Sequence, residues 1–223
     1  MNSEYRKAYE ILRQQKIDLN LLFDINVEAF LEKGELIVTQ VEKVDYLNLF
    51  LTSLKDDLSP YLEYILTADE IKNNKEALTK HTSNNNITKT KLVCDLLIKS
   101  LSNVDKDKYI LTIITAHIKV NELAIVLDEV IKMKDQGTID TEVKIPPHLN
   151  PESNYFIKDL KEVNFFLAMK KFKPAKQLNY KDVLEYVCWI ADADRLYEFS
   201  LATYNLDLVA MVAQQTQKVS NVI

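Results

Sequence analysis

Leu123-Ala124-Ile125-Val126-Leu127-Asp128-Glu129-Val130-Ile131 decides the fold class. Leu123, Val126, Leu127, Val130 and Ile131 recur at helical spacing and line one face of an α-helix. The same period runs outward in both directions. On the N-terminal side it orders Ile110, Ile113, Ile114 and His117, then Val93, Leu96, Leu97 and Leu101, then Leu47, Phe50, Leu51 and Leu54, with Asp45 expected as an N-cap, then Tyr5, Ala8, Tyr9 and Leu12. On the C-terminal side it orders Leu184, Val187, Cys188 and Ala191, then Tyr197, Ser200, Leu201 and Tyr204, then Leu208, Met211 and Val212. Period 3.6 dominates and period 2 does not.

The stripes sit close together. Residues 102–107, 119–121, 191–194 and 204–207 separate successive helices. Links this short fold neighbouring helices back antiparallel. A train of such hairpins is a bundle or a solenoid. Wide apolar stripes edged with aromatics, continuing without a capping signal, favour the solenoid. The tetratricopeptide consensus is not met, so any repeats are degenerate. The expected class is therefore all-α: an α-solenoid of degenerate tetratricopeptide-like antiparallel hairpins, one segment over 1–223.

Composition agrees. Only Gly34 and Gly137 occur in 223 residues, against a usual content of roughly 7%. Sheet folds draw on glycine for turns and bulges. The scarcity also removes dinucleotide fingerprints, phosphate loops and nucleophile elbows. Apolar residues make up 47% and charged residues 27%, the balance of a chain with a core. The longest uncharged apolar stretch, Tyr109–Ile118, is too short for a bilayer, and no signal peptide opens the chain. Two cysteines make no disulfide framework and point to a reducing compartment. A formal net charge of −5 argues against bulk nucleic-acid binding.

Two stretches break the helical pattern. Residues 73–90 hold Asn84-Asn85-Asn86 among Lys and Thr and read as a polar loop. Residues 136–180 hold Gly137, Pro146, Pro147 and Pro151 and read as an irregular insertion, with a helix restarting through Phe156, Leu160, Val163 and Leu167 until Pro174.

Candidate chemistry is sparse. His81, His117 and His148 are far apart, the first and last in expected loops and His117 on an apolar face. Cys94 and Cys188 lack a nearby partner and read as buried small hydrophobes. Asp192-Ala193-Asp194 resembles a metal pair, but between two helices one aspartate reads better as a cap. Asn86-Ile87-Thr88 fits a glycosylation sequon that needs a secretory route to act. No catalytic, cofactor or metal site is expected. From Lys158 to Lys181 stand seven lysines against Asp159 and Glu162. At its centre, Lys170, Lys171, Lys173 and Lys176 surround Phe172, a pattern that can hold phosphates and stack a base. The plainer reading is a solvated helix end, with lysines placed where the helix dipole favours them.

Several clusters go further than periodicity. Ile17-Asp18-Leu19-Asn20-Leu21-Leu22-Phe23-Asp24 is followed by Glu28-Ala29-Phe30-Leu31 and Val44-Asp45-Tyr46-Leu47-Asn48-Leu49-Phe50-Leu51. Lys91-Leu92-Val93-Cys94-Asp95, Lys108-Tyr109 and Thr115-Ala116-His117 come next. Leu196-Tyr197-Glu198, Leu201-Ala202-Thr203-Tyr204-Asn205-Leu206-Asp207-Leu208-Val209 and Val212-Ala213-Gln214 stand near the end. In order and spacing these resemble the largest, scaffold subunit of the Elongator complex, the IKAP family, in its central helical-repeat region. The gap in the resemblance is roughly 137–180.

The resemblance implies a cytoplasmic, partly nuclear complex that modifies the wobble uridine of transfer RNA. In that family the catalytic subunit is a separate chain, and the scaffold holds it together with a WD-repeat subunit. The family's propellers and its dimerising, basic C-terminal segment have no counterpart here, so a fragment is expected, with homodimerisation not expected from this segment alone. The combined expectation is a non-catalytic scaffold segment, with other Elongator subunits as partners, transfer RNA contact indirect, no membrane and no cofactor. The rivals are a solenoid adaptor of another assembly, of vesicle-coat type, and an RNA-contacting module built on the 158–181 lysines.

Overall fold

The computed structural model describes residues 4–83, 86–135 and 179–220, with side chains described as far as 216. Among them every regular element is helical. The order is α1 (Tyr5–Gln14), α2 (Leu21–Asp24), α3 (Val27–Glu32), α4 (Gly34–Val41), α5 (Val44–Ser53), a 3₁₀ turn (Pro60–Tyr64), α6 (Ala68–Ser83), α7 (Lys89–Asp105), α8 (Ile110–Lys119) and α9 (Leu123–Asp135). After the undescribed stretch come α10 (Tyr180–Ile190), α11 (Ala193–Ala202) and α12 (Leu206–Ser220). The chain divides into two compact units, Met1–Glu122 and Leu123–Ile223. Each unit gathers its own helices around buried apolar residues.

In the first unit α4 packs on α7, α7 on α8, α5 on α8, and α1 on α4. Val93, Leu97 and Leu101 of α7 are fully buried, as are Val38 and Leu51, with Phe50 close to that limit, as their helical spacing requires. Phe23, Phe30 and Phe50 meet in series, with ring centroids 5.2 and 5.9 Å apart. Aromatic rings in such contact add to the area they bury. Polar bonds fix the register of the stack. Gln40 accepts from the Tyr5 amide at 2.7 Å, Lys119 donates to the Thr52 carbonyl at 2.9 Å, and the Tyr109 hydroxyl donates to the Glu42 carbonyl at 3.1 Å.

Gly34 marks the tightest approach. A Cβ there would collide with Ser100 Oγ and stand 2.9 Å from Leu96 Cδ1, so α4 meets α7 only because residue 34 has no side chain.

The polar stretch 73–90 is not a loop. Residues 68–83 form α6, and only 84–88 separate it from α7. The helix opens on a reciprocal cap. Glu70 Oε2 accepts from the Thr67 amide at 2.8 Å, and Thr67 Oγ1 accepts from the Glu70 amide at 3.4 Å. None of its residues is fully buried. It is held where α2 meets α3: Asn74 donates to the carbonyls of Asp24 and Ile25 at 3.1 and 2.9 Å, His81 meets Glu28 of α3 at 3.1 Å, and Ala77 and Leu78 pack on the core. With little apolar stripe to read, the asparagines looked like turn residues.

In the second unit α10 and α11 both pack on α9 and α12. Asn179 and Asp182 form a capping box at the start of α10, with bonds of 3.0 and 3.2 Å. Asp192 accepts from the Arg195 amide at 3.1 Å and starts α11, the capping role read from sequence. Asp45, by contrast, lies in the first turn of α5, whose cap position is Lys43. The expected stripe Tyr197, Ser200, Leu201, Tyr204 is also corrected. Leu196 and Ser200 are buried, while Tyr197, Leu201 and Tyr204 face solvent. The inward face is one residue out of phase with the aromatic one. The expected helix through Phe156–Leu167 lies outside the described residues.

Candidate interaction surfaces

The motif Ile17–Asp24 has a structural task. Residues 54–59 have no regular structure of their own, and polar side chains supply their bonds. Asn20 Oδ1 accepts from the Lys55 amide at 2.9 Å, and Asn20 Nδ2 donates to the Ser53 carbonyl at 2.8 Å. Asp24 Oδ2 accepts from the Ser59 amide at 2.8 Å. Lys89 Nζ reaches the Asp57 carbonyl at 2.9 Å and Asp24 Oδ1 at 2.8 Å. Side-chain exposures of 1% for Lys89 and 0% for Asp24 make this a buried ion pair. Burial pushes the Asp24 carboxyl upward, and the Lys89 ammonium and Ser59 amide pull it back. Asp18 lies lower than an ordinary carboxyl. Burial raises it, but donors from Asn20 outweigh that. Every one of these groups is spent on packing.

A second cluster pins the end of α8. His117 Nδ1 meets Glu122 Oε2 at 2.7 Å, Lys91 Nζ pairs with Glu122 Oε1, and Lys91 Nζ lies 2.8 Å from Asp95. Burial alone would raise Glu122, but bonds from Lys91 and His117 hold it below the usual carboxylate range. Here a histidine, a lysine and two acids come together near Cys94, whose thiol is buried. The arrangement clamps the turn after α8 onto α7. Beside it lies a cleft of about 490 Å³, lined in part by Lys55, Asp56, Thr88, Lys91 and Lys119. Much of its charged lining is engaged within the protein. Lys91 serves two carboxylates, Lys119 a carbonyl, and Asp56 takes the Thr90 amide at 3.0 Å.

Burial pushes the Cys94 and Cys188 thiols up to about 12, so both stay protonated at neutral pH. Asp192 is occupied as a cap, and no group of three or more metal-ligating side chains forms among the described residues. Thr88 of the sequon caps α7 through the Lys91 amide at 3.2 Å. Lys170, Lys171, Lys173, Lys176 and His148 lie outside the described residues. Lys181 stands over its neighbour Tyr180 at 5.8 Å. No helix among the described residues is long and apolar enough to cross a membrane.

Several large apolar side chains face outward. In the first unit Tyr61, Tyr64 and Ile65 are exposed around the 3₁₀ turn. In the second, Tyr204 and Leu206 are exposed at 92% and 81%, beside Tyr197 and Leu201. Tyr204 adopts a left-handed backbone, φ 53°, which turns its ring out of the α11–α12 corner. The sequence stripe contains Tyr197, Leu201 and Tyr204 but does not separate core from contact side chains.

Comparison with known proteins gives a consistent picture. A family model described as ELP1 alpha-solenoid matches residues 1–164 and 157–220, in keeping with the all-α solenoid class read from periodicity. Among curated relatives, the protein named Elongator complex protein 1 from Oryctolagus cuniculus is 28% identical over 217 residues, covering 96% of this chain and 13% of the relative. The protein of that name from Rattus norvegicus is 29% identical, with 96% and 13% covered. That from Saccharomyces cerevisiae is 26% identical, with 97% and 14% covered. The chain thus spans about one seventh of the length of the relatives it matches.

Proposed function

The chain belongs to the ELP1 alpha-solenoid family, and from that membership we propose that it is a non-catalytic scaffold segment of the Elongator complex. In this reading it supports wobble-uridine modification of transfer RNA by positioning the catalytic subunit, which is another chain. The family match along nearly the whole chain carries the proposal. The disposition of its reactive side chains supports it: both thiols are buried and protonated, and His81 and His117 are each held by a glutamate. The action is geometric. Stacked helices hold exposed side chains in fixed positions for other proteins to bind. The WD-repeat subunit is a further proposed partner, transfer RNA contact is indirect, and the site of action is the cytoplasm with a nuclear share.

The test is to delete this segment from the full-length parent gene. Wobble-uridine modification is then measured by mass spectrometry, and the catalytic subunit is scored for co-purification. Loss of both is expected. Full modification with the catalytic subunit still bound would end the proposal.

A further inference from the structure

We propose that the exposed ridge formed by α11 and its turn into α12 docks a partner helix bearing lysine or arginine beside its apolar residues. The inference builds on the scaffold reading by naming the chemistry of one partner.

The ridge is built from the second unit alone. Asp194, Tyr197, Glu198 and Leu201 fall at i, i+3, i+4 and i+7 of α11 and share one exposed face. Tyr204 and Leu206 extend it around the corner, and the exposed Ala210 continues it along α12. The opposite face of α11 is already used, since Leu196 and Ser200 are buried. Large apolar side chains exposed in a row mark a contact surface.

Charge selects the occupant. From Asp192 to Thr216 the formal charges are Asp192, Asp194, Glu198 and Asp207 against Arg195. Asp192 is engaged as a cap and Asp207 meets Lys134 at 3.1 Å, which leaves Asp194 and Glu198 against the single Arg195 beside the exposed tyrosine and leucine. Nucleic acid and anionic membrane are repelled by that sign. A second copy seated face to face would set like carboxylates against each other. A helix with apolar residues at i, i+4 and i+7 and a cationic flank satisfies both the ridge and its acids.

The probe is a fluorescein-labelled synthetic peptide of leucine and lysine patterned as an amphipathic helix, with a leucine–glutamate peptide of the same pattern as control. Fluorescence anisotropy against the full 223-residue chain should show saturable, salt-sensitive binding of the lysine peptide alone. Tyr204→Ser with Leu206→Ser should weaken it at least about tenfold, as should Glu198→Lys with Asp194→Lys. All four positions are exposed, so circular dichroism should be unchanged, and Leu201→Gln serves as a third variant if it is not. Equal binding of the glutamate peptide would overturn the proposal. So would variants that bind like the parent, or self-association of the chain that these substitutions abolish. Failure here with the catalytic subunit still retained through the segment removes the ridge and leaves the scaffold reading intact.

Discussion

Lys89 Nζ lies 2.8 Å from Asp24 Oδ1 with neither side chain open to solvent, joining the start of α7 to the end of α2. The pair also fastens the irregular segment between α5 and the 3₁₀ turn, through the Asp57 carbonyl and the Ser59 amide. Removing one partner strands the other charge. Lys89→Met or Asp24→Leu alone should each cost about 3–5 kcal/mol in urea denaturation. The double variant should recover much of that and retain a deficit of about 1–3 kcal/mol, because the Ser59 amide and Asp57 carbonyl lose their partners.

Gly34→Ala sets two effects against each other. Alanine in a helix gains up to about 1 kcal/mol over glycine. The added methyl must displace Ser100 and Leu96, and overpacking of this kind costs about 1–3 kcal/mol. Ser100 is itself buried, so a net loss of stability is expected. Adding Ser100→Ala should return part of it, measured as a rise in melting temperature over the single variant.

Both features explain what the sequence could and could not reveal. Helices with a strong apolar stripe, such as α7 through Val93, Leu97 and Leu101, were legible because burial imposes the period. Helix α6 was not, since only Ala77 and Leu78 of it pack on the core and Asn74 and His81 supply the remaining ties. Its Thr67–Glu70 cap was a readable signal that the neighbouring asparagines obscured. On α11 the stripe groups buried Ser200 with exposed Tyr197, Leu201 and Tyr204. Periodicity shows that side chains share a face and does not say whether that face meets the core or a partner.

Acid should loosen the clamp after α8. Glu122 is held below the usual carboxylate range in the folded chain. The unfolded chain therefore binds its proton first as pH falls. The contribution is complete above the unfolded carboxyl's pKa and disappears as pH drops through the depressed folded value. Glu122→Gln should lower stability at neutral pH and leave a gap to the parent that narrows on acidification. Urea midpoints between neutral pH and the carboxylate range test this, and a gap that stays constant would contradict it.

Asp192 separates capping from metal binding. Asp192→Ala should cost about 1 kcal/mol, the usual value of an N-cap. Magnesium should leave the melting temperature of the parent chain unchanged. A magnesium-dependent rise that the variant loses would instead assign the Asp192–Asp194 pair to a cation.

The most direct test of a scaffold without chemistry of its own uses the reconstituted complex carrying Cys94→Ala, Cys188→Ala, His81→Asn and His117→Asn together in this segment. Wobble-uridine modification is measured per molecule of catalytic subunit recovered. An unchanged value is predicted, with any deficit tracking the amount of complex assembled. A fall in modification per assembled catalytic subunit would contradict the account.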